Sequence, residues 1–97
     1  MKIATQVAIR RATPNDVIQL TELVEQYRDF YRQERDDKTN QYLIDRISKN
    51  ESVIFVAEID GLLVGFTQCY PTFSTVSLSS IWLLNDLFVD PAYRGQH

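Results

Sequence analysis

Hydrophobic residues recur every three or four positions between residues 17 and 31, which predicts an amphipathic helix with one face packed on a sheet. The apolar positions are Val17, Leu20, Val24, Tyr27 and Tyr31, widened by Ile18, Leu23 and Phe30. Ahead of them, Thr13 can cap free backbone N–H groups, and Pro14 suits the first helical position, where its missing donor costs nothing. A second, shorter helix is predicted from about Thr39 to Lys49, after the polar connection Gln33–Asn40.

Three segments have the pattern of the first strands of a sheet. Gln6–Arg11 alternates weakly between polar and apolar residues. Two apolar, β-branched runs, Val53–Ile59 and Leu62–Tyr70, are separated only by Asp60-Gly61, which predicts a hairpin with a type I′ turn. Gly65, inside the second run, indicates a bulge or a close backbone approach.

The last apolar segment, Val76–Val89, predicts a further antiparallel strand after a loop at residues 71–75. The element order is therefore β-α-α-β-β-β. That order is typical of the α+β class with an antiparallel sheet. A chain of 97 residues predicts a single domain over residues 1–97.

Charge and composition exclude several classes of function. Ten Lys and Arg against thirteen Asp and Glu give a net charge of −3, without the basic stripe of a nucleic-acid binder. The single cysteine, Cys69, excludes a disulfide framework and a cysteine-based zinc cluster, and no metal site is expected. Met1–Arg11 lacks the apolar core of a signal peptide, and no apolar run approaches the roughly 20 residues of a membrane span. We expect a cytoplasmic protein with no membrane or nucleic-acid partner.

The end of the chain has a recognisable motif. The segment Leu87-Phe88-Val89-Asp90-Pro91-Ala92-Tyr93-Arg94-Gly95-Gln96 resembles the acetyl-coenzyme A motif of the GNAT superfamily of N-acetyltransferases, apolar-x-Val-x-Pro-x-Tyr-Arg-Gly-x-Gly-x-Gly. Ile9–Asp16 is similar to the usual opening of that fold, and the resemblance covers the whole chain. It implies a partial GNAT fold whose C-terminal half is absent, with acetyl-CoA as co-substrate.

By this resemblance, the coenzyme is held by the last strand and the turn after it. The backbone of Leu87, Phe88 and Val89 pairs with the pantetheine arm and polarises the thioester carbonyl. Arg94, Gly95, Gln96 and His97 form the side that binds the pyrophosphate, although His97 stands where the motif has glycine. A tight turn of converging N–H groups suits such an anion without net positive charge.

The acid–base and acceptor residues are predicted on the same strand and on the first helix. Asn85 and Asp86 precede the thioester backbone, and strand alternation predicts that they point to opposite faces. Asp86 is either catalytic or structural, and Asn85 orients a water or the amine because it cannot act as a base. Tyr27, Tyr31 and Trp82 either line the acceptor site or fill the core. An acidic patch (Glu34, Asp36 and Asp37) either attracts a cationic amine or is only a solvated loop.

The predicted function is transfer of acetyl from acetyl-CoA to a primary amine of a small molecule, a polyamine or an amino-acid-like compound. The stretch around Asn85 resembles the diamine (polyamine) acetyltransferase branch, which has glutamate where this chain has Asn85. The 97-residue chain alone is expected to be inactive. The alternative is a non-catalytic, truncated domain that self-associates, as a homodimer, through the exposed last strand Val76–Val89.

Overall fold

The computed structural model describes residues 7–49 and 52–94. Within them the chain forms four strands, two helices and two short 3-10 turns: β1 (Ala8–Arg11), a turn (Pro14–Asp16), α1 (Val17–Phe30), α2 (Thr39–Lys49), β2 (Val53–Ile59), β3 (Leu62–Ser74), β4 (Ser79–Val89) and a last turn (Pro91–Tyr93). The strands form one antiparallel sheet in the order β1-β2-β3-β4. The α+β class and the order β-α-α-β-β-β are confirmed. Neither described helix is long and apolar enough to span a bilayer.

Both helices pack on one face of the sheet and bury the core there. The buried cluster joins the helices to the three longer strands, with Leu20, Leu23, Leu43, Ile54, Val56, Leu63, Phe66 and Phe88 as its main members. Tyr27 packs edge-to-face against this cluster, with the centre of its ring 5.5 Å from the centre of the Phe66 ring. Burying these side chains contributes about 1.5–3 kcal/mol each, which makes this face the main source of stability. The opposite face leaves Ile9, Phe55 and Leu87 exposed.

The predicted apolar stripe of α1 is only partly buried. Leu20 and Leu23 lie in the core, as their spacing predicts. Ile18 is 83% exposed, because its position on the helix turns away from the sheet. Tyr31 is 59% exposed, because α1 ends at Phe30 and the chain then leaves the sheet.

At the start of α1, the side chain of Asp16 accepts hydrogen bonds from Thr13 N at 2.7 Å and Thr13 Oγ1 at 3.2 Å.

The hairpin between β2 and β3 is as predicted, whereas the one between β3 and β4 is not. Asp60 (φ 49°) and Gly61 (φ 83°) both have the positive φ of a type I′ turn. Residues 71–74, predicted as a loop, continue β3 instead, and the turn lies at residues 75–78. Pro71 is tolerated there because β2 pairs with β3 only as far as Cys69, so Pro71 has a neighbouring strand on one side alone.

Gly65 marks both a bulge and a close approach, as predicted. The register between β2 and β3 shifts next to it, since Ala57 pairs with Gly65 but Glu58 pairs with Leu63. A Cβ at Gly65 would lie 3.0 Å from the carbonyl oxygen of Phe88. Glycine therefore lets β4 pack closely against β3 at the start of the coenzyme motif.

Candidate active site

Strand β4 is an edge of the described sheet, and its backbone alternates between pairing with β3 and facing outward. Asp90 N donates to Val64 O at 2.8 Å, while Val89 pairs with Gly65 and Leu87 with Thr67. In an antiparallel ladder this pattern turns the N–H and C=O groups of Leu87 and Val89 away from β3. Leu87, Phe88 and Val89 are the three residues predicted to hold the thioester (the cradle residues). Of these, Leu87 and Val89 therefore present backbone groups to the open edge. Phe88 instead pairs its backbone with β3 and buries its ring in the core.

Arg94 is held against the end of β4. Its Nε donates to Val89 O at 2.8 Å, and its guanidinium carbon lies 5.2 Å from the centre of the Phe88 ring. The turn before it is fixed by Asp90, whose Oδ1 accepts from Ala92 N at 2.9 Å. Arg94 also lines a cavity of about 240 Å³ together with Gln26, Asp29, Phe30, Arg35, Phe88 and Pro91. The predicted coenzyme residues Gly95, Gln96 and His97 lie outside the described residues.

A second bulge lies at Asn85, directly before the cradle residues. Asp86 pairs with Gln68, but Leu84 already pairs with Cys69, so Asn85 is an extra residue in β4. The predicted placement of Asn85 and Asp86 on opposite faces assumed unbroken alternation, which the bulge interrupts. Instead the two side chains are in contact, with Asn85 Nδ2 at 3.4 Å from Asp86 Oδ1.

The carboxylate of Asp86 is surrounded by neutral hydrogen-bond donors. Tyr27 Oη donates to Oδ1 at 3.1 Å, Gln68 Nε2 donates to Oδ2 at 3.1 Å, and Tyr70 Oη approaches Oδ2 at 3.5 Å. Thr67 Oγ1 holds the backbone carbonyl of Asp86 at 2.8 Å. Phenols and amides orient a carboxylate without neutralising it. Among the described residues, no cation lies at ion-pair distance from Asp86.

The two phenols next to Asp86 remain protonated at neutral pH. Burial, followed by the hydrogen bond to Asp86, raises the pKa of Tyr27 to about 12. Burial also raises the pKa of Tyr70, and a hydrogen bond shared with Tyr42 Oη at 3.3 Å acts in the same direction. Both phenols are thus donors to Asp86 rather than bases.

Asp86 lies in the wall of an open cleft of about 340 Å³ between the helices and the sheet. The cleft is also lined by Val24, Tyr27, Arg28, Asp36, Lys38, Thr39, Tyr42, Leu43, Phe66 and Gln68. Its volume lies at the small end of the range of ligand sites, and its lining combines aromatic rings with a few charged groups, as such sites do. This cleft is the candidate acceptor site.

The structure brings only part of the predicted acceptor wall into this cleft. Tyr27 lines it, and Asp36 is the one member of the predicted acidic patch that does. Tyr31 packs edge-on against Tyr27, with ring centres 5.2 Å apart, outside the lining. Trp82 lies on the part of β4 that pairs with Pro71 and is 60% exposed. Tyr31 and Trp82 are therefore not brought to Asp86.

Several cleft residues were missed from the sequence. Tyr42 and Lys38 flank the start of α2, a position whose side-chain directions depend on how the helix docks. Gln68 is buried, and its Oε1 accepts from Ser52 Oγ at 2.9 Å while its amide reaches Asp86. Its one sequence signal is an amide within an apolar strand run, because a buried amide needs hydrogen-bond partners.

A buried carboxylate on α1 fixes the connection that forms the mouth of the cleft. Glu25 is 4% exposed and accepts from Thr39 Oγ1 at 2.7 Å, Asp36 N at 2.9 Å and Arg28 Nη1 at 3.2 Å. Burial by itself would raise the pKa of Glu25, but these hydrogen bonds outweigh it and lower the pKa. The ionised side chain thereby ties the segment around Asp36 and Lys38 to α1.

Comparisons with known proteins agree with this architecture. The model of the acetyltransferase (GNAT) family matches residues 20–97. An uncharacterised N-acetyltransferase of Bacillus subtilis (strain 168), YhfO, is 48% identical over 87 residues, which are 89% of this chain and 58% of YhfO. The crystal structure of a probable acetyltransferase is 35% identical with a TM-score of 0.84, covering 93% of this chain and 62% of that one.

A second similar crystal structure contains a bound ligand. It is an aminoglycoside acetyltransferase from an uncultured soil metagenomic sample, in complex with sisomicin. It is 26% identical to this chain with a TM-score of 0.71, over 93% of this chain and 60% of its own. The chain thus spans between 58% and 62% of the length of these three relatives.

Proposed function

The chain belongs to the acetyltransferase (GNAT) family, and on that premise we propose that it supplies the acetyl-CoA strand and the acceptor cleft of an enzyme that acetylates a primary amine of a small molecule. The observation that supports this most directly is the position of Asp86. Its carboxylate faces the cleft and makes no ion pair with a cation among the described residues. The next residue along β4, Leu87, has its backbone turned to the open edge. An ammonium bound at Asp86 would lie beside the strand assigned to the thioester.

The open edge of β4 fits acetyl-CoA, which supplies an activated acetyl thioester. The outward N–H of Leu87 is placed to donate to a carbonyl oxygen, and it needs no rearrangement because the strand is already fixed by β3. Preplaced donors of this kind stabilise an oxyanion as it develops. Val89 O already accepts from Arg94 Nε at 2.8 Å, and this bond orients the guanidinium at the end of the strand. Arg94 is thus positioned to contact a phosphate group.

In the acceptor cleft, Asp86 would bind and orient the ammonium. Tyr27 and Tyr70 hold its carboxylate with their protons, and Gln68 supplies the third neutral donor. The amine must lose a proton before it attacks, and a side chain or a water has to accept that proton. Asn85 is in contact with Asp86 and cannot accept it, so its role is to orient a water or the amine.

Binding of the two substrates is the direct test, since the chain spans about 60% of the length of its relatives. Titration calorimetry with acetyl-CoA should give saturable binding that Arg94→Ala weakens about tenfold, the usual consequence of losing one charged hydrogen bond. Ligand-observed NMR with hexylamine should show binding that Asp86→Asn abolishes.

The matched control is Asp37→Asn, which removes an exposed carboxylate near the cleft but outside its lining. It should leave hexylamine binding unchanged. If Asp86→Asn bound hexylamine as the wild type does, Asp86 would not be the ammonium site. If Arg94→Ala bound acetyl-CoA with unchanged affinity, Arg94 would not contact the phosphate.

The second candidate function is self-association, and the exposed side chains of β4 favour it. Ile81, Trp82, Leu83, Leu84 and Leu87 are all exposed along this edge strand. Such an edge is a template for pairing with another chain, and a second copy would cover it in a twofold dimer. Size-exclusion chromatography with light scattering tests this: a homodimer that Leu83→Lys dissociates is expected, and a monomer at all concentrations counts against it.

A further inference from the structure

We propose that the acceptor carries an anionic group in addition to its amine, so that the cleft selects an amino-acid-like zwitterion over a polyamine. This inference rests on the proposed function, because it assumes that the amine binds at Asp86. It adds a second contact, made by Lys38 and Arg28 at the opposite wall, to which neither the coenzyme motif nor the family comparison assigns a role.

The charged residues that line the cleft belong to two hydrogen-bonded groups, one around Asp86 and one around Glu25 and Asp36. The negative end is Asp86 on β4, held by neutral donors. The positive end is formed by Arg28 on α1 and Lys38 at the entrance to α2. The same cleft is lined by the aromatic rings of Tyr27, Tyr42 and Phe66, which suit an apolar spacer.

Arg28 and Lys38 each have side-chain N–H groups that make no hydrogen bond to the described residues. Arg28 Nη1 donates to Glu25 at 3.2 Å, which offsets its charge but uses only one of its five N–H groups. Among residues 7–49 and 52–94, no side chain makes a hydrogen bond or ion pair with the ammonium of Lys38. Lys38 is therefore the principal candidate to contact an anion, and Arg28 adds directional donors.

Asp36 is the competing charge at this end of the cleft. Its Oδ1 is already engaged, because it accepts from the backbone N–H of Lys38 at 2.8 Å. That hydrogen bond lowers the pKa of Asp36, and the charges of Lys38 and Arg28 act in the same direction. Glu25 is a second carboxylate here, but it is paired with Arg28, so the ammonium of Lys38 is left as the group that can contact an anion.

This distribution of charge opposes a polyamine. A diamine with one ammonium at Asp86 would bring its second ammonium towards Lys38 and Arg28, where like charges repel it. An ω-amino acid of the same length would place a carboxylate there instead. The two ligands differ only at the far end, so their relative affinity reports on the positive end alone.

Ligand-observed NMR titrations with three probes of equal length test this: 6-aminohexanoate, hexane-1,6-diamine and hexylamine. The amino acid should bind about tenfold more tightly than the diamine, the size expected for one hydrogen-bonded ion pair. Lys38→Ala should reduce its affinity towards that of hexylamine, with Arg28 as the remaining donor, and Lys38→Glu should reverse the preference in favour of the diamine. Asp36→Asn should strengthen amino-acid binding. Lys49→Ala, at the far end of α2 and outside the lining, is the matched control and should change nothing.

Equal or tighter binding of the diamine, or a preference for the amino acid that Lys38→Ala does not reduce, overturns the inference. The proposed function fails in a different way: hexylamine would then not bind, or would bind in the same manner to Asp86→Asn. Lys38 is exposed, and the hydrogen bond to Asp36 comes from its backbone, so both substitutions at this position should leave the fold intact.

Discussion

The phenol of Tyr27 donates a hydrogen bond to the carboxylate of Asp86 across 3.1 Å and joins α1 to the edge strand β4 over 59 positions of sequence. Its Oη stays protonated because burial, and then this bond, raises the pKa of Tyr27 to about 12. The same ring packs against Phe66 and Phe88 in the core. One side chain thus ties the core to Asp86 in the wall of the cleft.

Alkaline unfolding should therefore depend on Tyr27. The unfolded chain releases the phenol proton near pH 10 and the folded chain near pH 12, so the stabilisation is complete below pH 10 and is lost as the pH rises to about 12. Urea unfolding from pH 9 to 12 should show a loss of about 2 kcal/mol that Tyr27→Phe does not show. Tyr93→Phe, on the terminal turn, is the control and should follow the wild-type curve; an unchanged slope in Tyr27→Phe would refute the assignment.

Acid stability should depend on Asp16. This carboxylate is 6% exposed and accepts from Arg10 Nη1 at 2.8 Å and Arg10 Nη2 at 2.7 Å, which together with the N–H of Thr13 lowers its pKa from 3.8 to about 2. Its stabilisation is present above about pH 4 and is lost as the pH falls to about 2. Asp16→Asn should lower the free energy of unfolding at pH 7 by about 2 kcal/mol.

The free energies of unfolding of the wild type and of Asp16→Asn should converge in acid, where the wild-type Asp16 is itself protonated. Urea titrations at pH 7, 4 and 2 measure this convergence. Asp37→Asn, an exposed carboxylate on the connection to α2, should cost less than about 0.5 kcal/mol at each pH. A constant gap between wild type and Asp16→Asn down to pH 2 would show that the ion pair with Arg10 is not the cause.

Gly65→Ala should loosen the junction between β3 and β4. The new Cβ would lie 3.0 Å from the backbone oxygen of Phe88, which cannot move without displacing the strand. We expect a loss of about 1–3 kcal/mol, as for other overpacked sites, with faster amide exchange at Asp90, whose N–H donates to Val64 O.

Substitutions at Gly61 are the control for those at Gly65, because they strain the backbone without a steric clash. A Cβ there meets no atom within 4 Å, but φ is +83°, so Gly61→Ala should cost about 1 kcal/mol through backbone strain. Gly61→Asn should cost less, because asparagine tolerates positive φ. Neither variant should change exchange at Asp90, and an equal effect there would contradict the close contact between Gly65 and Phe88.

Glu25→Gln should release the mouth of the cleft. The carboxylate accepts from three donors with both oxygens, whereas the amide has a single acceptor oxygen and turns N–H groups towards one of the donors. The expected cost is about 2 kcal/mol, with faster hydrogen exchange at Asp36. Glu22→Gln, which breaks the exposed pair with Arg35, is the matched control and should cost less than about 1 kcal/mol.

The local parts of this fold could be predicted well from sequence. The bounds Thr39–Lys49 of α2 and the turn at Asp60-Gly61 follow from periodicity and from backbone preferences that act within a few residues. The strand character of Pro71 could not be predicted in this way. It depends on where β2 stops pairing with β3, which is a property of two strands in register.

The candidate site, too, could be predicted from the sequence only in part. Asp86 stands out in sequence as a charge within an apolar run, and the resemblance of the motif predicts that Leu87, Phe88 and Val89 hold the thioester. The sequence does not show that Phe88 turns its backbone inward, because this follows from the hydrogen bond between Asp90 and Val64. Nor does it show the bulge at Asn85, which one skipped pairing between β3 and β4 creates.

By itself, the sequence determined the α+β order of elements, the hairpin and the coenzyme motif, because each is encoded in residues close together in the chain. Only the tertiary structure decided which side chains meet in the candidate acceptor cleft. Tyr27 lies on α1, Lys38 in the turn before α2 and Asp86 on β4, and all three line one cleft because both helices dock on one face of the sheet. That docking is fixed by burial of the shared core, a sum over many distant contacts that no local pattern contains.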